Sequence, residues 1–259
     1  MTRYELGTYE DIRDNLRVRL MDMKSNAETL QNTVYEPVGC GYALVAYMEI
    51  PEEIEGGGIA NVPRGLAEAS GFSMRQIMMD ARIGSMASDF PMLCPLEDML
   101  FGDKKENLLT EGEAPRDGSL LVLTTEEGRL GASALYYNDI PKRIGEIVGG
   151  DYFVLPSSIH EVLILPDKGE TSPQELAMMV RTVNEHEVRP EEQLGNKVLH
   201  FRTDLQKLQV AADLDHEKDR GKERCLWKLK SIGRSGNIQN PCSSDCRFDS
   251  SFFLSWRSA

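Results

Sequence analysis

Residues 149–166, GGDYFVLPSSIHEVLILP, constrain the fold of this chain more than any other stretch. Gly149 and Gly150 are typical of a helix end, because glycine readily adopts the left-handed conformation that follows a last helical turn. One apolar run precedes the turn-forming Pro156-Ser157-Ser158, and a second follows His160-Glu161. Two short strands this close in sequence can pair only as an antiparallel hairpin. The stretch therefore predicts a helix that leads into a β-hairpin.

The elements around this hairpin predict the fold class. Strands are expected at 119–125, 130–137 and 197–202, a helix from Asn138 or Asp139 to Val148, and a helix after the capping box that starts at Ser172. The order is β-β-α-β-β-α-β in the C-terminal half. Hairpins that alternate with helices favour an α+β fold, with an antiparallel or mixed sheet and helices packed mainly on one face.

The N-terminal half predicts a simpler alternation. Ile12, Leu16, Leu20 and Met23 are spaced like one face of an amphipathic helix over Tyr9–Met23. Residues 38–50 are apolar enough for a buried strand, and Ser73 is a suitable cap for a helix over 73–87. Six of the twelve methionines lie between residues 74 and 99, and methionine at helical spacing typically fills a core.

Composition divides the chain into four regions. An N-terminal α+β region is expected at 1–101, and a polar linker rich in Gly, Asp, Glu and Pro at 102–118. A second α+β region at 119–204 contains the hairpin. Residues 205–259 are more basic than the rest of the chain and include a stretch without helical or strand periodicity, which predicts an atypical, poorly ordered tail.

Charge and composition exclude several classes of protein. The formal net charge is −13, whereas phosphate binding needs clustered Lys and Arg, so no nucleic-acid partner is expected. No apolar run approaches the ~18 residues of a membrane span, and the acidic N-terminal residues are unlike a signal peptide. Cys40 and Cys94 stand alone in apolar surroundings, as buried thiols do. We therefore expect a soluble, cytoplasmic protein without a membrane partner.

Four polar residues of the hairpin are the candidate catalytic groups: Ser157, Ser158, His160 and Glu161. A serine nucleophile could be activated by His160, with Glu161 orienting the imidazole. Neighbours in a strand point to opposite faces, however, so Glu161 is poorly placed to orient His160, and no GxSxG motif is present. The structural alternative is that the serines bind the turn backbone and His160 packs at the sheet end.

A metal site is the second chemical possibility. His160 and His186, each followed by a glutamate, could supply zinc ligands together with His200. The HExxH spacing is absent, and His186 lies in an acidic run that is typical of solvated surface. Neither a GxGxxG nor a GxxxxGK[ST] motif occurs, so no cofactor is expected.

The hairpin and the elements next to it resemble a known protein family. The matching segments are Val122–Thr125, Gly149–Tyr152, Leu155–Val162 and Val183–Glu192. They are similar to an uncharacterised bacterial (Firmicutes) family labelled domain of unknown function 5688. The resemblance is specific over 119–202, looser over 10–101, and absent from about residue 205 onward. It implies a shared fold and no catalytic assignment.

Two functions remain open. The first is a cytoplasmic bacterial binding or interaction domain without catalysis, whose partner is a protein or a small ligand. The second is a hydrolase or metal-assisted enzyme that uses the Pro-Ser-Ser-Ile-His-Glu hairpin. The position of His160 distinguishes the two functions. The enzyme requires His160 to lie within hydrogen-bond reach of a serine or of His186 in a concave pocket.

Overall fold

A computed structural model describes residues 9–50, 57–101, 106–110, 115, 118–156 and 158–215. The helices in these ranges are α1 (Tyr9–Arg13), α2 (Ala27–Gln31), α3 (Arg64–Ser70), α4 (Met74–Ser88), α5 (Leu96–Phe101), α6 (Ile140–Val148) and α7 (Pro173–His186). The strands are β1 (Leu16–Asp22), β2 (Tyr35–Gly39), β3 (Tyr42–Ile50), β4 (Gly58–Asn61), β5 (Pro91–Pro95), β6 (Leu121–Thr125), β7 (Tyr152–Leu155), β8 (Val162–Pro166), β9 (Lys197–Arg202) and β10 (Lys207–Asp213). Short 3-10 helices occupy Gly131–Tyr136 and Pro190–Glu192.

The strands form two antiparallel sheets. In the N-terminal sheet, β3 pairs with β1 on one side and with β2 and β4 on the other. The C-terminal sheet has six strands in the order β10-β9-β7-β8-β6-β5. Antiparallel sheets combined with helices confirm the predicted α+β class.

The two faces of the C-terminal sheet are buried in different ways. Side chains alternate along each strand, so Phe153 packs in a cluster with α5 and α7, while its neighbours Tyr152 and Val154 point to the main core. The main core also contains Leu16 and Leu44 of the N-terminal sheet. The two sheets therefore share one hydrophobic core.

Helix α4 lies along β1 at the edge of the N-terminal sheet. The Ser73 side chain caps the helix by accepting from the Gln76 N–H, as predicted. The Ser85 hydroxyl accepts the Val18 N–H at 2.9 Å, which satisfies an edge-strand donor. At Gly84, an added Cβ would lie 2.2 Å from the Leu16 carbonyl oxygen, so only glycine allows this approach. One face of α4 is thereby fixed against β1, and the opposite face is turned outward.

The helix predicted over Tyr9–Met23 is wrong beyond Arg13. Leu16 and Leu20 fit both a helical spacing and, together with Val18, the alternation of a strand. All seven residues of β1 pair with β3, and these three side chains are buried. The long-range pairing outweighs the local helical pattern. The strand predicted at 38–50 also differs, because Cys40 and Gly41 turn the chain between β2 and β3.

The strand predicted at 130–137 is a 3-10 helix. Gly131 lies so close to β6 that a Cβ would be 2.5 Å from the Thr125 nitrogen. The chain folds back onto β6 as a compact helical turn, and β6 pairs instead with β5 and β8. The C-terminal half consequently lacks the second strand of the predicted order.

Parts of the predicted tail and of the predicted linker are packed into the fold. Residues 207–213, within the predicted tail, form β10 and pair with β9. Within the predicted linker, the Asn107 amide oxygen accepts the Leu93 N–H and Leu109 is buried. Residues 216–259 and most of 102–118 lie outside the described ranges.

The elements that flank the hairpin match their predictions. Gly149 ends α6 in the left-handed conformation, with φ of 78°. Ser172 and Glu175 form the predicted capping box of α7. Asp139 precedes α6 as predicted, although its side chain makes no capping bond. Among the described helices, none is long and apolar enough to cross a membrane.

Candidate functional site

The loop between β7 and β8 contains three of the four candidate catalytic residues; the fourth, Ser157, lies outside the described residues. Ser158 is fully buried, and its hydroxyl accepts the backbone N–H of His160 at 3.1 Å. Its backbone forms an isolated β-bridge with Gln193. Glu161 is also buried, one residue before β8. The Ser158 hydroxyl thus supports the loop backbone, as the structural alternative proposes.

The His160 imidazole is engaged at both nitrogens. Nδ1 accepts the backbone N–H of Leu130 at 3.2 Å, so the ring proton belongs on Nε2 in the neutral form. Nε2 lies 3.4 Å from Oε1 of Glu192, which Arg189 contacts at 2.5 Å. The ring therefore joins the turn after β6 to the 3-10 helix at 190–192.

The backbone of the same loop connects two further segments. The His160 carbonyl accepts from the Gly131 N–H and from the Thr124 hydroxyl, each at 2.9 Å. The Ile159 carbonyl accepts the Ala132 N–H at 3.2 Å. The loop consequently holds β6 and the 3-10 helix at 131–136 in place.

Glu192 is the residue of this cluster that the sequence pattern did not reveal. It belongs to the acidic run 185–192, whose composition predicts solvated surface, yet it is only 6% exposed. That interpretation is wrong for Glu192. Pro190 starts a single 3-10 turn that directs the carboxylate inward, and Arg189 next to this proline was the available signal.

The two candidate metal ligands, His160 and His186, lie in different environments. His186 is exposed at the end of α7, and its Nδ1 lies 2.8 Å from the Thr182 carbonyl of its own helix, to which it donates. In the described part of the chain, no group of three or more His, Cys, Asp or Glu side chains could hold a metal ion.

His200 lies beside a shallow cleft of about 180 Å³ at the turn between β8 and α7. Its ring stacks on Phe153 with centroids 4.6 Å apart, and its Nε2 lies 3.0 Å from Oδ2 of Asp167. Leu165 and Lys168 also line the cleft. A volume of this size suits only a very small ligand, well below the roughly 300 Å³ of common ligand pockets.

The outward face of α4 presents an unusual row of apolar side chains. Met79, Ile83 and Met86 lie on this face at helical spacing, and Phe90 is exposed two residues beyond the helix end. Their exposed fractions are 51%, 57%, 44% and 55% in that order. We call these four residues the α4 apolar stripe. The prediction that the methionines fill the core is wrong for Met79 and Met86.

The α4 apolar stripe is exposed because α4 has two apolar faces and only one of them packs against the protein. Ile77, Met78 and Ala81 are buried against the body of the protein, as predicted. The spacings of four and three from Met79 to Met86 define a second row on the opposite side of the helix. This second row was the signal in the sequence, because a surface helix needs only one apolar face.

Charges are distributed unevenly along the stripe. Arg75 is exposed at the N-terminal end of α4. At the other end, the Glu126 N–H donates to the Phe90 carbonyl at 3.0 Å, and Glu126 and Glu127 are exposed. Asp89 adds a third carboxylate there. The stripe therefore runs from a basic end to an acidic end.

Asp89, at the acidic end of the stripe, lies among charges of both signs. Partial burial raises the pKa of the Asp89 carboxyl, and the charges of Glu127 and Glu49 act in the same direction. A hydrogen bond with Ser85 and the charge of Arg17 oppose this shift without cancelling it. A cation brought to this end would be electrostatically favourable.

The fold and these surfaces define an α+β protein built from two antiparallel sheets on a shared core, with a partly buried histidine-carboxylate cluster and an exposed apolar helix face. The chain belongs to a family of unknown function, DUF5688, whose model matches residues 2–203, as the hairpin motif predicts. Neither the curated proteins nor the solved structures contain a significant match to the chain.

Proposed function

We propose that the protein is a non-catalytic interaction domain and that the α4 apolar stripe is its contact surface. The observation that carries this proposal is the row of four large apolar side chains, each 44–57% exposed, on one side of a packed helix. The partner is a protein with a matching apolar surface, with acidic groups placed against Arg75 and basic groups against Asp89.

Hydrophobic energetics support this assignment. Single exposed apolar residues are common, whereas a contiguous row marks an interaction surface. At ~25 cal/mol per Å², covering each half-exposed side chain stabilises a complex by on the order of 1 kcal/mol. Met79 and Met86 are unbranched and polarisable, which suits a surface that adapts to a partner.

The hairpin geometry favours a domain without catalysis or cofactor over the hydrolase or metal-assisted alternative. A general base needs a nitrogen directed at the nucleophile, and both nitrogens of His160 face groups that belong to the fold. The Ser158 hydroxyl is buried and accepts a backbone N–H. These contacts are those of a structural anchor.

The proposed setting is the cytoplasm of a bacterial cell. The family resemblance supports a bacterial source, and the buried thiol of Cys94 fits a reducing compartment. The net charge of −13 supports a protein partner rather than a nucleic acid.

Photo-cross-linking in the native cells tests the contact surface. A photoreactive phenylalanine analogue replaces Met79 in the full chain, and the matched control carries it at Met178, which is 54% exposed on α7. We expect one discrete protein adduct from position 79 that disappears when Ile83→Asp is added. The same adducts at both positions, or no adduct at position 79, would contradict the proposal.

A further inference from the structure

We propose that the partner is a second copy of this chain, bound through two α4 helices that run antiparallel about a twofold axis. This inference rests on the proposed function, because it names the occupant of the same α4 apolar stripe. It follows from two independent properties of the stripe: the spacing of its residues and the direction of its charges.

The spacing is symmetric about a point between Arg82 and Ile83. A twofold axis through this point places Met79 opposite the partner's Met86, and Met86 opposite the partner's Met79. Ile83 lies next to the axis, where side chains become most deeply buried. Phe90 follows the end of α4, on the side where the partner's α4 begins with Arg75, and an arginine over an aromatic ring is a favourable contact. The stripe is thus complementary to itself.

The charges select the antiparallel direction. The N-terminal end of the stripe carries Arg75, and the C-terminal end carries Asp89, Glu126 and Glu127. A parallel pair would bring like charges together, whereas an antiparallel pair places each basic end beside an acidic end. The helix dipoles also favour the antiparallel pair, because each positive N-terminal end then lies beside a negative C-terminal end.

A twofold contact also closes on itself. Both copies use the same surface, so each favourable pair occurs twice and no apolar side chain of the stripe is left to recruit a third copy. One helix face is small compared with the roughly 800 Å² per partner of a standard stable interface. We therefore expect a reversible dimer that dissociates on dilution.

Sedimentation velocity of the purified full chain over a range of concentrations tests this dimer. We expect a concentration-dependent shift from monomer to dimer that Ile83→Asp abolishes. The matched control, Met178→Asp on α7, should leave the shift unchanged. Both substituted side chains are exposed, so we expect each variant to remain folded. Circular dichroism melting checks this. A wild-type chain that stays monomeric, or a dimer insensitive to Ile83→Asp, would overturn the inference.

Charge exchange tests the antiparallel arrangement itself. Arg75→Glu alone should weaken dimerisation about tenfold or more, because it places acidic groups opposite each other at both ends. Glu126→Lys with Glu127→Lys should weaken it in the same way. The combination of all three changes should restore the dimer, and failure to restore it would contradict the antiparallel pairing.

The cross-linking experiment separates this inference from the function on which it rests. An adduct at position 79 with twice the chain mass supports both. A discrete adduct with another protein, together with a monomeric purified chain, overturns the dimer and leaves the contact surface standing. The absence of any adduct refutes the contact surface.

Discussion

His160 has the chemistry of a catalyst and also connects several segments of the fold. Its ring and backbone together contact Leu130, Glu192, Gly131 and Thr124, which come from separate parts of the chain. The hairpin motif and the histidine were visible in the sequence. Its carboxylate partner was not, because Glu192 lies 32 residues further along the chain and only the tertiary fold brings the two together.

Replacement of His160 by alanine should lower the free energy of unfolding by about 1–3 kcal/mol, because the Leu130 N–H loses its partner. Urea denaturation measures this loss. His186→Ala is the matched control, and its effect should remain within about 0.5 kcal/mol because that ring is exposed. Equal stability of the wild type and His160→Ala would contradict this prediction and would favour a catalytic role.

At the scale of elements, α4 was predicted almost to the residue, whereas β1 was not. The start of α4 depends on the Ser73 cap, a signal contained within one helical turn. β1 depends on pairing with β3, whose paired residues lie 20 to 32 positions further along the chain. Caps and turns are thus readable locally, but an apolar pattern that fits both periods is decided by the available partner.

Gly84 links these two elements, and its substitution should reverse the usual ranking of helix formers. Alanine normally stabilises a helix interior by about 1 kcal/mol relative to glycine. At Gly84 the new methyl would meet the Leu16 carbonyl oxygen, so we expect Gly84→Ala to destabilise by about 1–3 kcal/mol.

Gly65 in α3 provides the control for this substitution. Outside its own helix backbone and chain neighbours, no atom of the described residues lies within 4 Å of the position that its Cβ would occupy. Gly65→Ala should therefore be neutral or stabilising by up to about 1 kcal/mol. Thermal melts of both variants provide the comparison. A higher melting temperature for Gly84→Ala would show that α4 can move away from β1.

For the whole molecule, a buried ion pair joins the two sheets. Nζ of Lys197 on β9 lies 2.5 Å from Oδ2 of Asp22 on β1 and 4.2 Å from the centre of the Tyr42 ring. Burial alone would raise the pKa of the Asp22 carboxyl, but hydrogen bonds from Lys197 and Ser25 outweigh it and hold that pKa below its usual value.

Lys197→Met should destabilise the protein by about 3–5 kcal/mol at neutral pH, because it leaves the Asp22 charge buried without its partner. Urea denaturation at several pH values measures the loss. The double variant Lys197→Met/Asp22→Leu should recover most of the stability, because it removes both charges. A double variant no more stable than Lys197→Met would contradict this account.

The pH dependence of this loss follows from the direction of the pKa shift. The folded wild type has a depressed Asp22 pKa, so the contribution of the pair is present above the usual pKa of about 3.9 and is lost only as pH falls below it. In Lys197→Met the unpaired carboxyl binds a proton at higher pH. The difference between the two proteins should therefore shrink in mild acid, and a constant difference would show that Asp22 remains charged in the variant.

The sequence alone determined the α+β class, the family, the hairpin and the helices whose ends carry local signals. These depend on interactions within a few residues, which a linear pattern records. Only the tertiary structure decided that Leu16–Asp22 is a strand, that Glu192 reaches His160, and that one apolar row of α4 faces outward. Each of these depends on which distant segment occupies the space beside a residue, because burial and strand pairing are set by the packed chain.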